Sequence, residues 1–157
     1  MNRLVKIRIT VNDILNNQTD LELRNHGYVH LYAVSSFCNL LALKRGINAE
    51  LCTISGMLHD IYTYKTSNST DHAILGSIEA RKILSELNCF SKEEADIICM
   101  AIHNHSSKLD IDGIYDETLK DADTLHHYLY DINAKVAKKE KKRLEKLIQE
   151  LNMDHVN

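Results

Sequence analysis

The sequence contains no proline and no tryptophan, and only five of its 157 residues are glycine. Alternating β-branched residues, the pattern of a strand, occur only in the stretch LVKIRIT at residues 4–10. Everything after that stretch has the pattern of helices. Internal repeats, low-complexity tracts and linker-like composition are also absent. We therefore predict an all-α fold, a helical bundle that forms a single domain over residues 1–157.

The chain also lacks the features that mark membrane, secreted and nucleic-acid-binding proteins. Its formal net charge is only -3, so neither nucleic acid nor an anionic membrane is expected as a partner. No apolar run approaches the length of a bilayer span, and MNRLVKIRIT lacks the apolar centre of a signal peptide. The four cysteines show no C-x-x-C spacing, which favours buried, reduced thiols (Cys38, Cys52, Cys89 and Cys99). A cytoplasmic protein is expected, and its oligomeric state is left open.

Capping residues and hydrophobic periodicity predict the positions of the helices. Gly46 is suited to end one helix, Asn48 to start the next, and Ser91 with Glu94 forms a capping box. The polar segment TYKTSNST, residues 63–70, is predicted to be a loop. Helices are expected over about residues 29–45, 49–60, 71–87, 92–107, 116–131 and 134–151. The many lysines of the last helix are expected to form its solvated face.

Histidine is the abundant residue, with nine copies. Residues three and four apart share a helix face, which places a histidine or an aspartate on the predicted inner face of five helices. On the fourth helix, His105 shares the apolar face and His103 does not. A single such histidine is typically a satisfied core residue. Burying several imidazoles and two carboxylates together is costly unless one or two divalent cations compensate them. The inward-facing set is His30, His59, Asp60, His72, His105 and Asp123.

The order of these residues carries a resemblance to a known family. His30, the adjacent pair His59 and Asp60, and then Asp123 follow the H…HD…D pattern of the HD-domain metal-dependent phosphohydrolases. The resemblance covers roughly residues 24–131 and includes the stretches GMLHDI, HAILGSIEA, AIHNHS and KDADTL. His72 and His105 are similar to two further histidines of the binuclear branch, to which the bacterial diadenosine tetraphosphate hydrolases belong.

The resemblance implies an all-α HD-type domain, with a core over about residues 24–131 and metals held between its helices. One ion would be bound by His30, His59, Asp60 and Asp123. A second ion would be bound by His72 and His105, and Asp60 would bridge the two. Mixed histidine and carboxylate sites favour iron, manganese, cobalt, nickel or zinc over magnesium or calcium, and iron or manganese is preferred here.

The implied activity is hydrolysis of a phosphoester or phosphoanhydride in a small phosphorylated metabolite by metal-activated water, and a nucleotide is the expected substrate. His59 and Asp60 would be the catalytic residues. Lys65, Lys108 and Arg24 are candidate phosphate-binding residues. The remaining candidates for supporting roles are His26, Glu79, His103, His126 and His127. Two ions favour an anhydride such as a dinucleotide polyphosphate, and one ion favours a phosphomonoester.

Two other functions stay open. The first is a regulatory module that binds metal and nucleotide with little or no turnover, because IYTYK rather than glycine-lysine follows the HD pair. A catalytic lysine is therefore not carried over to Lys65. The second is a helical interaction domain whose histidines have no ligand. The sequence lacks the signature of a cyclic-di-GMP phosphodiesterase, which argues against that substrate.

Overall fold

The computed structural model describes residues 2–153, and this range folds into α-helices without a strand. The predicted all-α class is therefore confirmed for the part of the chain that the structure describes. The helices are α1 (Arg3–Asn16), α2 (Leu21–Arg45), α3 (Ala49–Leu58), α4 (Ile61–Thr66), α5 (His72–Leu87), α6 (Lys92–Asn104), α7 (Ile114–Tyr130) and α8 (Lys138–Leu151).

Helix α1 contains the stretch that has a strand pattern, so the strand interpretation of residues 4–10 is wrong. Ile7, Val11 and Leu15 recur at intervals of four residues and are completely buried. This spacing belongs to a helix and continues beyond the short alternating stretch. The side chain of Asn2 accepts a hydrogen bond from the Leu4 N–H and caps the helix. Tertiary burial of the longer apolar row decides the structure of this segment.

Helices α2 and α3 form the centre of the fold. The Asp20 side chain caps α2, which begins at Leu21, two turns earlier than predicted. As predicted, the helix ends at Gly46, which has a φ of 67° and the left-handed conformation that glycine tolerates. Asn48 caps α3 as predicted. At Gly56, a Cβ atom would stand 2.7 Å from the backbone Cα of Ser35, so the two helices pack in direct contact.

The segment after α3 differs from the prediction of a loop over residues 63–70. Ile61–Thr66 form the short helix α4, because Ile61 and Tyr64 on one side of it are buried in the core. Ser67 ends this helix in the left-handed conformation, and the polar turn runs from there to Asp71. The next two helices, α5 and α6, pack against each other. The predicted capping box at the start of α6 is present.

Helix α8 begins at Lys138 rather than near residue 134. Its apolar stripe of Leu144, Leu147 and Ile148 is buried, as the periodicity predicts. Two arginines add ion pairs between α8 and its neighbours. The Nη2 atom of Arg45 in α2 lies 2.7 Å from an oxygen of Glu150, and Nη1 of Arg143 lies 2.7 Å from Asp121 in α7. These contacts attach α8 to the rest of the bundle.

The cysteines are free thiols, and Cys38, Cys52 and Cys99 are buried as predicted. Cys89 is only half-buried, because it lies at the turn between α5 and α6. Burial raises the pKa of the Cys52 thiol to about 12, so this thiol stays protonated. Within residues 2–153, no helix combines the length and apolar character that a membrane crossing requires.

Candidate metal centre

The six predicted metal ligands come from five separate parts of the fold and face one another. Most of them lie at the ends of helices, where a side chain can turn toward the centre. His30 is in the middle of α2 and Asp123 is within α7, and both are buried. The other four are His59 and Asp60 between α3 and α4, His72 at the start of α5, and His105 at the end of α6.

The break between α3 and α4 explains how adjacent residues can serve the same centre. On a continuous helix, neighbouring side chains diverge by about 100°. Here α3 ends at Leu58, and Asp60 has φ and ψ of -110° and 13°, outside the helical range. This kink lets both side chains point inward, with His59 Nε2 3.5 Å from Asp60 Oδ2.

A first group of ligand atoms surrounds the end of the His30 ring. The His30 Nε2 atom lies 2.9 Å from His59 Nε2, 3.3 Å from Asp60 Oδ2 and 3.6 Å from Asp123 Oδ1. The His59 Nε2 atom lies 3.8 Å from the same Asp123 oxygen. Ligand atoms that are each about 2.1 Å from one ion stand roughly 3–4 Å apart. The separations in this group therefore suit a shared cation.

A second group forms around the other oxygen of Asp60. The Asp60 Oδ1 atom lies 3.3 Å from His105 Nε2 and 3.7 Å from His72 Nε2. The two oxygens of Asp60 therefore face different pairs of histidines. A carboxylate in this position can contribute one oxygen to each of two ions.

Hydrogen bonds fix the orientation of three of the imidazole rings. The Nδ1 atoms of His59, His72 and His105 lie 2.8, 3.1 and 2.6 Å from backbone carbonyl oxygens of residues 56, 69 and 102. In each case the carbonyl belongs to the residue three positions earlier. An Nδ1–H that donates to a carbonyl leaves the Nε2 lone pair free to face the centre. This is the tautomer that a metal ligand requires.

Two carboxylate oxygens in the centre accept no hydrogen bond from the residues that the structure describes. They are Asp60 Oδ1 and Asp123 Oδ1, both inaccessible to solvent. An unpartnered buried carboxylate oxygen is costly, because it has lost its water without replacement. A divalent cation would replace that lost interaction. The donor set of imidazole nitrogens and carboxylate oxygens therefore fits a transition-metal ion or manganese.

The protonation states of the centre also suit metal binding. Burial lowers the pKa of His59 to about 3, so its ring is neutral near pH 7. Burial opposes ionisation of Asp123, but the Lys108 ammonium, 2.6 Å away, holds the pKa of Asp123 well below its ordinary value. For Asp60, burial is likewise outweighed by the neighbouring histidines, and its pKa is lowered. The carboxylates are ionised and the buried histidine is a free base.

Lys108 has a different environment from that of a phosphate-binding cation. Its side chain is buried, and its Nζ atom donates to Asp123 Oδ2 and to the backbone oxygen of Lys120. The other two candidate cations are at least partly exposed. Lys65 pairs with Glu79 at 2.6 Å, and the side chain of Lys65 is 40% exposed. Arg24 is partly exposed in α2, six residues before His30.

Further histidines lie beside the six ligands. His26 stacks on His30 with ring centroids 5.6 Å apart, and its Nδ1 atom lies 2.8 Å from the Tyr64 hydroxyl. The ring of His126 is buried 4.7 Å from that of His30, and burial lowers the pKa of His126 to about 4. His103 is exposed and belongs to none of the metal-ligand groups of residues 2–153.

His127 and Glu140 form a pair at the edge of the centre. The His127 Nε2 atom lies 3.4 Å from Asp123 Oδ1, and its Nδ1 atom lies 3.0 Å from Glu140 Oε1. A hydrogen bond to Glu140 raises the pKa of His127. His127 follows Asp123 by four residues, so the sequence makes it a candidate for a supporting role at the centre. Nothing in the sequence indicates Glu140, because it comes from α8, beyond the stretch that carries the family resemblance.

Comparison with known proteins identifies the family. The model of the HD domain family matches residues 27–128. The chain therefore belongs to the HD domain family, and the resemblance of its sequence to this superfamily is confirmed. A relative from Bacillus subtilis (strain 168), named "Putative phosphohydrolase YueE", is 29% identical over an alignment that covers 82% of this chain and 85% of the relative. The comparison with solved structures finds no significant match.

Proposed function

We propose that this chain is a cytoplasmic, divalent-metal-dependent phosphohydrolase that cleaves a phosphoester or phosphoanhydride bond of a small nucleotide. The observation that carries the proposal is the convergence of four imidazoles and two carboxylates, with two buried carboxylate oxygens that lack a hydrogen-bond donor. The similarity to a relative whose name includes phosphohydrolase supports the reaction type. The catalytic unit is the single domain that the chain forms.

The geometry favours two ions. His30, His59 and Asp123 would hold one ion together with Asp60 Oδ2, while His72 and His105 would hold the other with Asp60 Oδ1. These assignments follow the two groups of ligand atoms on either side of Asp60. When bound, iron or manganese ions supply Lewis acidity that activates water and neutralises charge on phosphoryl oxygens. Asp60, which offers one oxygen to each group, is the residue on which a binuclear arrangement depends.

The residues of the centre divide between a closed side and an open side. His59 is completely buried and bonded to the carbonyl of Gly56, so it serves as a rigid ligand. The side chains of Asp60 and His72 are 21% and 33% exposed. The phosphate of the substrate is therefore expected to approach the ions from the side of Asp60 and His72. Lys65, an exposed cation on α4, lies about one helical turn beyond Asp60. Its ammonium group pairs with Glu79 in this structure and can bind a phosphate oxygen of the substrate instead.

A groove whose lining includes His26, the neighbour of the ligand His30, supports a substrate with a planar ring. It has a volume of about 510 Å³, and its lining includes Leu23, Val29, His26 and Tyr130. The rings of His26 and Tyr130 lie 6.4 Å apart in an edge-on arrangement, and His26 stacks on His30. Apolar and aromatic side chains with a few polar groups suit a nucleobase. The acidic rim contributed by Asp20 and Glu22 would repel phosphate, so the phosphate is oriented toward the metal centre.

A nucleotide panel assayed with manganese or ferrous ion tests this function. The panel includes nucleoside mono-, di- and triphosphates, dinucleoside polyphosphates and an aryl phosphate. We expect metal-dependent hydrolysis that His59→Ala and Asp60→Asn each reduce at least 100-fold, because both remove ligands of the centre. Glu145→Gln makes the same carboxylate-to-amide change as Asp60→Asn at an exposed position of α8, so it is the matched control, and its rate is expected to equal that of the wild type.

Two results would contradict the proposal. If the protein with bound metal binds a nucleotide and hydrolyses no member of the panel, it is a regulatory module. If it binds neither metal nor nucleotide, and histidine substitutions change only its stability, it is a helical interaction domain.

A further inference from the structure

Helix α8 lies outside the part of the chain that matches the HD domain family, yet it places a buried carboxylate against His127 at the edge of the metal centre. The family match ends at residue 128, and α8 begins at Lys138. Glu140, in the first turn of α8, has only 5% of its surface exposed. A buried glutamate requires a hydrogen-bonding partner. Its partner is His127, whose Nδ1 atom is 3.0 Å from Glu140 Oε1.

The other side of the His127 ring faces the metal ligands. Its Nε2 atom lies 3.4 Å from Asp123 Oδ1, and its ring stacks nearly parallel to that of His30 at 5.8 Å. The ligand atoms of these three residues all lie within 4.8 Å of one another. His127 is also accessible, since 47% of its side-chain surface is exposed. His127, His30 and Asp123 therefore form a third group of possible metal ligands. His30 and Asp123 also belong to the first group.

The hydrogen bond to Glu140 determines which atom of His127 is available. With Nδ1–H donating to the carboxylate, Nε2 presents its lone pair to Asp123 Oδ1. That oxygen is buried and accepts no hydrogen bond from residues 2–153. The Nε2 atom lies 3.4 Å from this oxygen without making a hydrogen bond to it, and a divalent cation bound by both atoms would give the buried oxygen the partner it lacks. A histidine that donates one ring N–H to a carboxylate and offers the other nitrogen to a metal is the usual arrangement of a metal site.

We propose that His127 is a ligand of the ion held by His30 and Asp123, and that Glu140 of α8 is its positioning residue. The inference rests on the proposed function, because it requires a divalent ion at the centre. It adds a ligand that the HD pattern of the sequence does not include. It also makes α8 part of the metal centre of this chain, although α8 lies beyond the matched domain.

Manganese affinity, measured by calorimetry on the metal-free full-length protein, tests the proposal. We expect His127→Ala to weaken the affinity about 100-fold. Glu140→Gln keeps the size of the side chain but removes its charge, and we expect a loss of about 10-fold. The matched controls are His103→Ala and Glu145→Gln, which change an exposed histidine and an exposed glutamate of α8. Both controls are expected to stay within twofold of the wild type.

A crystal structure of the manganese-loaded wild type provides a readout that needs no substitution. Anomalous scattering is expected to place an ion about 2.1–2.3 Å from His127 Nε2. An ion at the centre that lies beyond coordination distance of His127 would overturn the inference, as would a His127→Ala affinity within twofold of the wild type. Either result leaves the proposed function intact. If the wild type binds no divalent ion, the inference and the proposed function both fail.

Discussion

At the scale of single residues, Asp123 has a different environment at each of its oxygens. Its Oδ2 atom accepts a hydrogen bond from the buried ammonium of Lys108 at 2.6 Å. Its Oδ1 atom has no hydrogen-bond donor within residues 2–153 and faces the histidines. Lys108 therefore neutralises part of the charge of Asp123 and restricts the carboxylate to one free oxygen. This role differs from the phosphate binding that the sequence suggests for this residue.

Replacement of Lys108 by methionine tests its structural role. Removing one partner of a buried ion pair leaves an uncompensated charge, so we expect the metal-free protein to lose about 3–5 kcal/mol of stability. Manganese is expected to stabilise this variant more than the wild type, because the ion then supplies the missing positive charge. Denaturant unfolding with and without manganese measures both effects. Lys82→Met, at an exposed position of α5, is the control.

A loss below about 1 kcal/mol, or equal stabilisation of variant and wild type by manganese, would contradict this role for Lys108.

The neutral state of buried His59 makes the metal-free protein sensitive to acid. Folding lowers the pKa of His59 from 6.5 to about 3. Between these pH values the unfolded chain binds more protons than the folded chain, so stability decreases as the pH falls below about 6.5. At pH 5 this residue alone is expected to cost about 2 kcal/mol relative to pH 8. The measurement is the free energy of unfolding of the metal-free protein across that range.

His59→Asn removes the titrating group. The free energy of unfolding of this variant should therefore change about 2 kcal/mol less than that of the wild type between pH 8 and pH 5. His103→Asn, at an exposed site, should follow the wild-type curve. Identical pH dependence of wild type and His59→Asn would show that His59 is not held neutral by burial.

At the scale of helices, the boundaries that the sequence predicts correctly are those marked by capping residues. Gly46, Asn48 and the capping box at Ser91 each mark the helix end at which they occur. These signals are local, so they can be recognised without knowledge of the fold. The boundary before Lys138 is different, because no side chain caps α8 there and the predicted start near residue 134 is too early.

Two other helices escape prediction because tertiary contacts stabilise them. Helix α1 begins with a short alternating pattern, and its burial against the core decides the outcome. Helix α4 is only six residues long and mostly polar, and two buried side chains hold it in place. The break before α4 turns Asp60 toward the centre. Helical periodicity alone would place Asp60 about 100° away from His59.

Gly56 tests the close contact between α2 and α3. An added Cβ atom would lie 2.7 Å from the Cα and 2.9 Å from the amide nitrogen of Ser35, and neither backbone atom can move without its helix. We therefore expect Gly56→Ala to reduce stability by about 1–3 kcal/mol. Helix propensity alone predicts a gain of about 1 kcal/mol for the same change.

Ser85→Ala, at an exposed position within α5, is the control for helix propensity and should be neutral or slightly stabilising. Thermal unfolding of both variants measures the difference. A stabilised Gly56→Ala protein would show that the two helices do not touch at this position.

At the scale of the whole molecule, the order H…HD…D predicts a set of residues that the fold does bring together. For His30 and Asp123 the pattern works because each faces inward within its own helix, which periodicity can indicate, whereas Asp60 depends on the break between α3 and α4. Periodicity cannot show how loops fold over the core. Lys108 follows a helix in a polar stretch and resembles a surface residue, but it is buried against Asp123. Glu140 lies on a lysine-rich helix whose contact with the centre depends on the packing of α8.

Elemental analysis of the purified protein, after loading with manganese or ferrous ion and removal of excess metal, measures directly whether the six side chains hold divalent ions. Two equivalents of metal per chain are expected in the wild type and at most about one in His59→Ala, because Asp60, His72 and His105 still form the second group of ligands. The control variant His103→Ala should retain the wild-type content. A loaded wild-type protein with less than one-tenth of an equivalent of metal would contradict the claim that these side chains converge to hold divalent ions.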